Sequence, residues 1–223
     1  MEQIENRAVT CEWLRYDVLN YAMQQNMVPL VRKLALTNHS GEDLRHVTVS
    51  IVPGTDFATE WSKTLDILPA GRSVELGPIH LSISGPFLAS LTERLLDRLI
   101  LRVEQEGKVL YQEESPLAVL AYDQWGGLAT MPELVAAFVM PNHPLVAKVI
   151  QEAGAYLEKW TGNRSFDAYQ SKNPNRVRHQ AAAIFSAIRD YEWTYCVAPA
   201  SFEERGQRIR LADTVFGTRM GNC

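Results

Sequence analysis

Residues Val47-Thr48-Val49-Ser50-Ile51 alternate strictly between apolar and hydroxyl side chains. A period of two places the apolar side chains on one face of an extended strand and the hydroxyls on the other. The stretch therefore predicts a β-strand with one buried and one solvated face. The same alternation occurs before it, at Leu34 and Leu36, and after it, from Val74 to Ile83 around the interruption Gly77-Pro78.

Turn-forming residues separate these alternating stretches. The cluster Thr37–Gly41 ends the earliest of them, and Leu117–Tyr122 is predicted to be the last strand. About seven short strands, with turn signals roughly every 8–12 residues, are typical of a β-sandwich. The pattern predicts an immunoglobulin-like antiparallel β-sandwich over residues 1–122.

Two segments of the predicted sandwich need separate interpretation. Glu106-Gly107 lies between Leu99–Glu104 and Val109–Gln112, which predicts a hairpin turn. Phe87–Leu95 lacks the alternation, and its leucines fit either one or two helical turns crossing between the sheets or a bulged strand. Both interpretations stay open for this segment.

The periodicity changes after Trp125-Gly126-Gly127, where helices are predicted. Thr130-Met131-Pro132-Glu133 has the form of a capping box with an early proline. Asn142 is predicted to cap a second helix, Asn173-Pro174 begins a third, and a fourth covers 211–218. The side chains expected to face inward are Val146, Val149, Ile150, Ala153, Leu157 and Trp160 on the second helix, and Val177, Ala181, Ile184, Phe185 and Ile188 on the third. The predicted class is α+β, a sandwich followed by an all-helical segment over residues 123–223.

The composition of the 223 residues is ordinary for a globular protein, with 46% hydrophobic and 22% charged residues and a net charge of −4. Residues 1–122 carry 11 basic and 16 acidic side chains and the rest carry 11 and 10, so neither half has the basic field of an autonomous nucleic-acid binder. No apolar stretch approaches the roughly 18 residues of a membrane-spanning helix, and the first residues do not resemble a secretory signal. We therefore predict a cytoplasmic location, no membrane association and no direct nucleic-acid binding.

Three cysteines, Cys11, Cys196 and Cys223, form neither a disulfide framework nor a CxxC metal motif. The histidines are too scattered to predict a metal centre, and we expect no cofactor. Cys223 has a distinct context, because Gly221 predicts a helix end and Asn222 is a good N-cap for a following helix. The N–H groups and partial positive charge at a helix start lower the pKa of a thiol. Such a thiolate is the nucleophile of papain-like enzymes, which also need a histidine base and an orienting side chain.

Two resemblances to known families bear on this context. The stretch Leu211–Cys223 resembles the approach to the nucleophile in transglutaminase-like cysteine-enzyme domains, where a helix and a Gly-x-Cys turn deliver the thiol. Nearly the whole sequence resembles the amino-terminal region of large bacterial helicase-related proteins of poorly defined function. The matching stretches are Leu36-Thr37-Asn38, Leu68-Pro69-Ala70-Gly71, Asp123-Gln124-Trp125-Gly126-Gly127-Leu128, Met131-Pro132-Glu133-Leu134, Phe138-Val139-Met140-Pro141-Asn142, Tyr169-Gln170-Ser171 and Pro199-Ala200-Ser201-Phe202-Glu203.

The resemblance implies a larger parent protein, of which this sequence is the amino-terminal part, truncated at Cys223 inside a transglutaminase-like domain. The parent would be a helicase-type ATPase, a thiol enzyme or both, whereas this segment has no Walker A motif and is expected to be inactive by itself. We expect a non-catalytic accessory and interaction region, with other domains of the parent or another protein as partners and a role in defence against foreign DNA. The alternative function is a cysteine hydrolase or transferase with Cys223 as its nucleophile. A stand-alone ligand-binding sandwich is a third function, which rests on fold class alone.

Several other residues could have a chemical role, but we favour a structural interpretation of each. His143 is expected to serve a helix start rather than catalysis, and His179, beside Arg176 and Arg178, to lie on a solvated face rather than at a phosphate site. An aromatic group could form a ligand-stacking shelf, but we expect it to pack a short strand against the helices. Its members are Tyr191, Trp193 and Tyr195.

Overall fold

The computed structural model describes residues 8–167, 169–197 and 206–221. These residues form two compact units: the first runs to Leu134 and includes Gly206 and Gln207, and the second contains the remaining described residues. Strands dominate the first unit and helices the second, so the predicted α+β class is confirmed.

The first unit contains nine strands and two short α-helices among its described residues. The strands are β1 (Val9–Arg15), β2 (Val18–Leu19), β3 (Val31–Asn38), β4 (Leu44–Pro53), β5 (Trp61–Leu68), β6 (Ser73–Leu76), β7 (Leu95–Gln105), β8 (Lys108–Val119) and β9 (Gln124–Trp125). The helices are α1 (Tyr21–Gln25) and α2 (Gly85–Ser90).

Two sheets make up most of this unit. In the smaller sheet, β3 lies between β1 and β6 and pairs antiparallel with both. The larger sheet has the order β2-β8-β7-β4-β5. Its pairs are antiparallel except for the two-residue contact of β2 with β8, which is parallel. The pairing in the large sheet therefore departs from a purely antiparallel one only at this short edge strand.

The alternation at the centre of β4 has the predicted consequence. Val47, Val49 and Ile51 are fully buried. They pair with β7, where Val103 and Leu101 stand opposite Val49 and Ile51 and are also fully buried. Burial of these branched side chains on one face of two adjacent strands, at about 25 cal/mol per Å² of apolar surface, stabilises the larger sheet.

The β7–β8 hairpin is confirmed, and the strands are longer than predicted. Glu106 and Gly107 form the turn with φ values of +50° and +80°, a conformation that glycine adopts without strain. Leu117–Tyr122 is not a separate strand, because its first three residues complete β8. In Phe87–Leu95, residues 87–90 belong to α2, which begins after the N-cap Ser84. Residues 91–94 connect α2 to β7, which begins at Leu95.

The second unit is built around two helices that pack against each other. A 3-10 helix (Pro132–Phe138) spans the boundary of the units, and α3 (Pro144–Thr161), α4 (Pro174–Arg189) and α5 (Ala212–Thr218) follow. Val149, Ala153 and Leu157 of α3 form a buried core with Ala183 and Ala187 of α4. Its strands are β10 (Thr194–Tyr195) and β12 (Met220–Gly221), which pair in parallel. The strand β11 (Gln207–Arg208) begins in the first unit and ends in the second.

Several predictions for this unit are wrong. The segment is not all-helical, because β10 and β12 form a sheet of two-residue strands, which are too short to show a sequence period. The predicted capping box begins a 3-10 helix instead of an α-helix. The fourth helix, predicted over 211–218, is confirmed as α5, but Gly221 belongs to a strand and does not end a helix. The N-cap of α3 is His143 and not Asn142.

No helix in the described ranges is long and apolar enough to cross a membrane.

The inward face of α4 also differs from the prediction. The buried residues of this helix are Gln180, Ala183, Ser186 and Ala187, whereas Phe185 is 67% exposed and Ala181 faces solvent. Small side chains on the inner face let two helices approach closely. The large apolar side chain of Phe185 therefore points away from α3, although its spacing from the other apolar residues suits burial.

Candidate functional site

The chain that leads to Cys223 is held by a small sheet. Cys223, the predicted nucleophile, and Asn222 lie outside the described residues. Within the described residues, β12 runs parallel to β10 so that Gly221 lies opposite Tyr195. The Cys196 N–H donates to the Gly221 carbonyl oxygen at 2.7 Å. Main-chain hydrogen bonds therefore hold the chain up to two residues before Cys223.

Three aromatic rings connect the end of α4 to α5. The rings of Tyr191 and Trp193 stack with centroids 5.3 Å apart. Phe216 meets both of them edge-on, with centroids 5.0 Å away in each case. Edge-to-face and offset contacts of this kind stabilise by about 0.5–1.5 kcal/mol beyond the area they bury. Tyr191 and Trp193 therefore pack a helix, as expected for a core role, while Tyr195 is exposed.

His143 is tied into the structure through both ring nitrogens. Its Nδ1 accepts a hydrogen bond from the Leu145 N–H at 3.2 Å, which caps the start of α3. An accepting Nδ1 carries the lone pair of a neutral imidazole, so Nε2 carries the proton. Nε2 lies 3.2 Å from Asp213 Oδ2 on α5 and donates to it. The lone pair that a general base would use is occupied by the helix cap, in agreement with the predicted helix-start role.

The cap makes a specific prediction for substitutions at His143. We expect His143→Ala to lower the free energy of unfolding of the second unit by about 1 kcal/mol, because the first turn of α3 loses an acceptor for its N–H groups. His143→Asn should lose less than half of this, because asparagine is a good N-cap. Hydrogen exchange at the Leu145 amide and urea denaturation measure the effect. Equal losses for both variants would show that the cap is not the stabilising contact.

Two tyrosine–carboxylate pairs lie where α3 meets the end of α4. Tyr191 Oη donates to Glu152 Oε2 at 2.6 Å, and Tyr156 Oη donates to Asp190 Oδ2. Burial, followed by this bond to Glu152, raises the pKa of Tyr191 to about 12. The bond to Asp190 likewise raises the pKa of Tyr156. Both phenols therefore stay protonated donors at neutral pH, beside a cavity of about 230 Å³ lined by Glu152, Asp190, Tyr191 and Ala187.

Arg176 is an internal anchor and does not lie on a solvated face. Its side chain is only 11% exposed, and its Nε donates to Asp167 Oδ1 at 2.9 Å. The hydrogen bond and charge of Arg176 hold the pKa of Asp167 below its ordinary value. The other acceptors of the guanidinium are Thr161 Oγ1 and the main-chain oxygens of Asn163 and Ser165. His179 and Arg178, in contrast, are exposed as predicted.

A polar cluster in the first unit surrounds Glu113 on β8. Its carboxylate accepts hydrogen bonds from Trp13 Nε1 at 3.1 Å, Tyr111 Oη at 2.6 Å and Ser115 Oγ at 2.9 Å. Burial alone would raise the pKa of Glu113, but these donors outweigh it and the pKa is lowered. Burial, with a smaller contribution from the Glu113 charge, raises the pKa of the Cys11 thiol to about 12. Cys11 is therefore a protonated, unreactive thiol near neutral pH.

The raised pKa of Cys11 predicts slow alkylation. At pH 8 the thiolate fraction of Cys11 should be about a thousandfold smaller than that of an ordinary thiol of pKa 9.0, because the two pKa values differ by about three units. Iodoacetamide labelling in the native state and in urea, followed by peptide mass spectrometry, measures the ratio. The pKa of the Cys11 thiol is higher in the folded state than in the unfolded state. Protonated Cys11 therefore contributes fully to the free energy of unfolding below pH 9, and this contribution is lost as the pH rises towards 12. Rapid native labelling of Cys11 would contradict the burial.

Two further features of the described residues bear on ligand binding. No group of three or more histidine, cysteine, aspartate or glutamate residues in the described ranges could hold a metal ion. A cavity of about 650 Å³ in the first unit is mostly apolar. Its lining residues are Gln24, Asn26, Met27, Val28, Pro29, Leu30, His80, Leu81 and Ile83.

Sequence reasoning missed the acidic partners in these clusters. Glu113, Glu152 and Asp213 contact residues 100, 39 and 70 positions away, and Asp167 contacts Arg176 nine positions away. No sequence motif marks these four carboxylates. Glu152 has a local signal in its four-residue spacing from Lys148, and the charged atoms of the two side chains lie 3.9 Å apart on α3. The roles of these carboxylates therefore follow from tertiary neighbours.

Comparison with known proteins assigns no family. No protein-family model matches the sequence, and no curated protein matches it either. Among solved structures, a β-glucuronidase from glycoside hydrolase family 2 is similar over 53% of this chain and 12% of its own length, with 15% identity and a TM-score of 0.32. A putative β-galactosidase from Bacteroides fragilis is similar over 48% of this chain and 15% of its own, with 16% identity and a TM-score of 0.30. At these values the similarity indicates neither a family nor an activity.

Proposed function

We propose that this chain is a non-catalytic accessory and interaction region of a larger, helicase-related bacterial protein that acts in defence against foreign DNA. In this proposal the first unit is an immunoglobulin-like sandwich, and the second is the front of a transglutaminase-like domain. The two sheets of the first unit and the sequence resemblance support the assignment. Its partners are other domains of the parent chain or another protein.

The observation that carries this proposal is the use of reactive side chains as structural contacts. His143 caps α3, Tyr191 donates to Glu152, and Arg176 holds the segment between α3 and α4. A side chain whose lone pair or donors are already engaged has to break those bonds before it can act on a substrate. The second unit thus uses its titratable groups to stabilise itself, as expected of a region that binds partners rather than one that performs catalysis.

The proposal is tested on the native gene product. Intact-mass measurement should give a protein much larger than 223 residues, with nucleic-acid-dependent ATP hydrolysis. Deletion of residues 1–221 should leave the rate of ATP hydrolysis within about twofold of the intact protein and abolish association with its protein partners or defence in cells. A gene product that ends near residue 223, or a deletion without effect on association and defence, would overturn the proposal.

A thiol enzyme with Cys223 as its nucleophile is the second candidate. The observation in its favour is the β10–β12 pairing, since an ordered approach of the main chain can orient a nucleophile. Iodoacetamide should then label Cys223 in the folded gene product at least tenfold faster than Cys196, with Cys11 as a slow internal reference. Cys223→Ser should abolish that labelling. Equal labelling of Cys223 and Cys196 would rule out an activated thiol.

A further inference from the structure

The solvent-facing side of α4 carries an apolar strip between two arginines. This outer face consists of Arg178, Ala181, Ala182, Phe185 and Arg189, all of which are exposed. Residues at these spacings lie on one side of an α-helix. Phe185 is 67% exposed and has the two alanines one turn before it. A single exposed apolar residue is ordinary, but here the aromatic ring and the alanines form a continuous strip.

The charge of this face is entirely positive. The sequence of α4, Pro174 to Arg189, contains three arginines and no acidic residue. Arg176 is directed inward to Asp167, which leaves Arg178 and Arg189 for the outer face. They are eleven residues apart, about three turns or 16 Å along the helix. Asp190 follows at the helix end, with its Oδ1 3.9 Å from Arg189, and it also accepts a hydrogen bond from Tyr156.

We propose that the outer face of α4 is a docking surface for an acidic amphipathic helix of a protein partner. The partner would place an apolar side chain against Phe185 and carboxylates about three turns apart against Arg178 and Arg189. Arginine forms paired hydrogen bonds with carboxylates, and an aromatic side chain is a frequent centre of binding energy. The small side chains of Ala181 and Ala182 allow another helix to approach closely. This inference rests on the proposed interaction role and names the chemistry of the partner.

Two other occupants fit this face less well. In a symmetric pairing of two copies through α4, the arginines of one copy would face those of the other, and like charges across an interface oppose association. A nucleic acid would meet a phosphate-binding row of only two arginines, with an apolar centre between them, whereas phosphate binding draws on several cations. A carboxylate-bearing protein segment satisfies both the apolar centre and the charged ends.

Site-specific photocrosslinking in the producing cells tests the proposal on the full gene product. A benzoylphenylalanine at position 185 should give one crosslinked protein, and peptide mapping should place the link in a segment with apolar residues flanked by Asp or Glu. The matched control is the same probe at Val139, which is 69% exposed in the same unit and should give no such product. A link to nucleic acid, to a second copy of the chain or to a segment without carboxylates would overturn the proposal, as would no link above the control.

Binding of the mapped segment as a synthetic peptide gives the second measurement. The double variant Arg178→Glu/Arg189→Glu should weaken binding at least tenfold, and higher salt should weaken wild-type binding. Lys159→Glu, a charge reversal on the exposed end of α3, should stay within twofold. Equal losses in both variants would show that the face is not the site. If deletion of residues 1–221 abolishes association while the probe at 185 links nothing, the docking surface is wrong and the accessory role stands.

Discussion

Leu157→Ala should lower the free energy of unfolding of the second unit by about 3 kcal/mol. Leu157 is fully buried between α3 and α4, where it packs with Ala153 and Ala183. Removal of a buried leucine side chain loses its transfer free energy and leaves a cavity, a combined effect of about 2–5 kcal/mol. The core of this unit has few large side chains, so the residues around position 157 can fill little of the cavity.

The matched control for Leu157 is Phe185→Ala, which should change the same free energy by less than about 0.5 kcal/mol because the ring is 67% exposed. Hydrogen exchange of amides in α3 and α4 assigns the change to this unit, since two units need not unfold in one transition. The contrast tests the register of α4 directly. If Phe185→Ala lowers the free energy of unfolding strongly and Leu157→Ala only slightly, α4 packs through the face that carries Phe185.

Arg176→Ala should lower the free energy of unfolding of the second unit by about 2–3 kcal/mol. The guanidinium bonds the segment between the helices through the main-chain oxygens of Asn163 and Ser165 and through Asp167. Loss of a buried charged donor leaves acceptors without partners, and each hydrogen bond to a charged group contributes about 1.5–3 kcal/mol. Arg176→Lys should recover only part of the loss, because an ammonium cannot reproduce the planar fork.

Arg178→Ala is the control for Arg176→Ala, because Arg178 is two residues away and exposed. Its free energy of unfolding in urea denaturation should be within about 0.5 kcal/mol of the wild type.

The difference in free energy of unfolding between wild type and Arg176→Ala should also shrink in acid. The pKa of Asp167 is lowered in the folded state, so its contribution is complete above its ordinary value of 3.8 and is lost as the pH falls towards the depressed value. A difference that does not change with pH would mean that the Asp167 contact contributes nothing.

The extent to which sequence predicts this structure differs between the two units. Alternation at Val47, Val49 and Ile51 identified the core strand β4, because a period of two has one structural solution when one face is buried. The starts of α3 and α4 were predicted within one residue, because proline at the first helical position is a local signal. The inward face of α4 was not predicted, because it depends on which of its side chains can pack against α3.

For the candidate site, sequence identified several residues but few of their contacts. His143 was expected at a helix start, yet its link to Asp213 joins residues 70 positions apart. The position of Arg176 beside Arg178 suggested one exposed basic face, whereas the fold directs the two side chains to opposite environments. Local pattern cannot distinguish them, since both are arginines in the first turns of one helix.

The sequence by itself determined the α+β class, the strand at Val47–Ile51, the β7–β8 hairpin and the positions where α3 and α4 begin. These features depend on interactions between residues close along the chain. Only the tertiary structure decided that Phe185 faces solvent, that Arg176 is an anchor, and that Tyr191 and Phe216 pack α5 against the end of α4. The physical reason is that burial, pKa and hydrogen bonding at these side chains are set by neighbours distant in sequence, and those neighbours come together only when the helices pack.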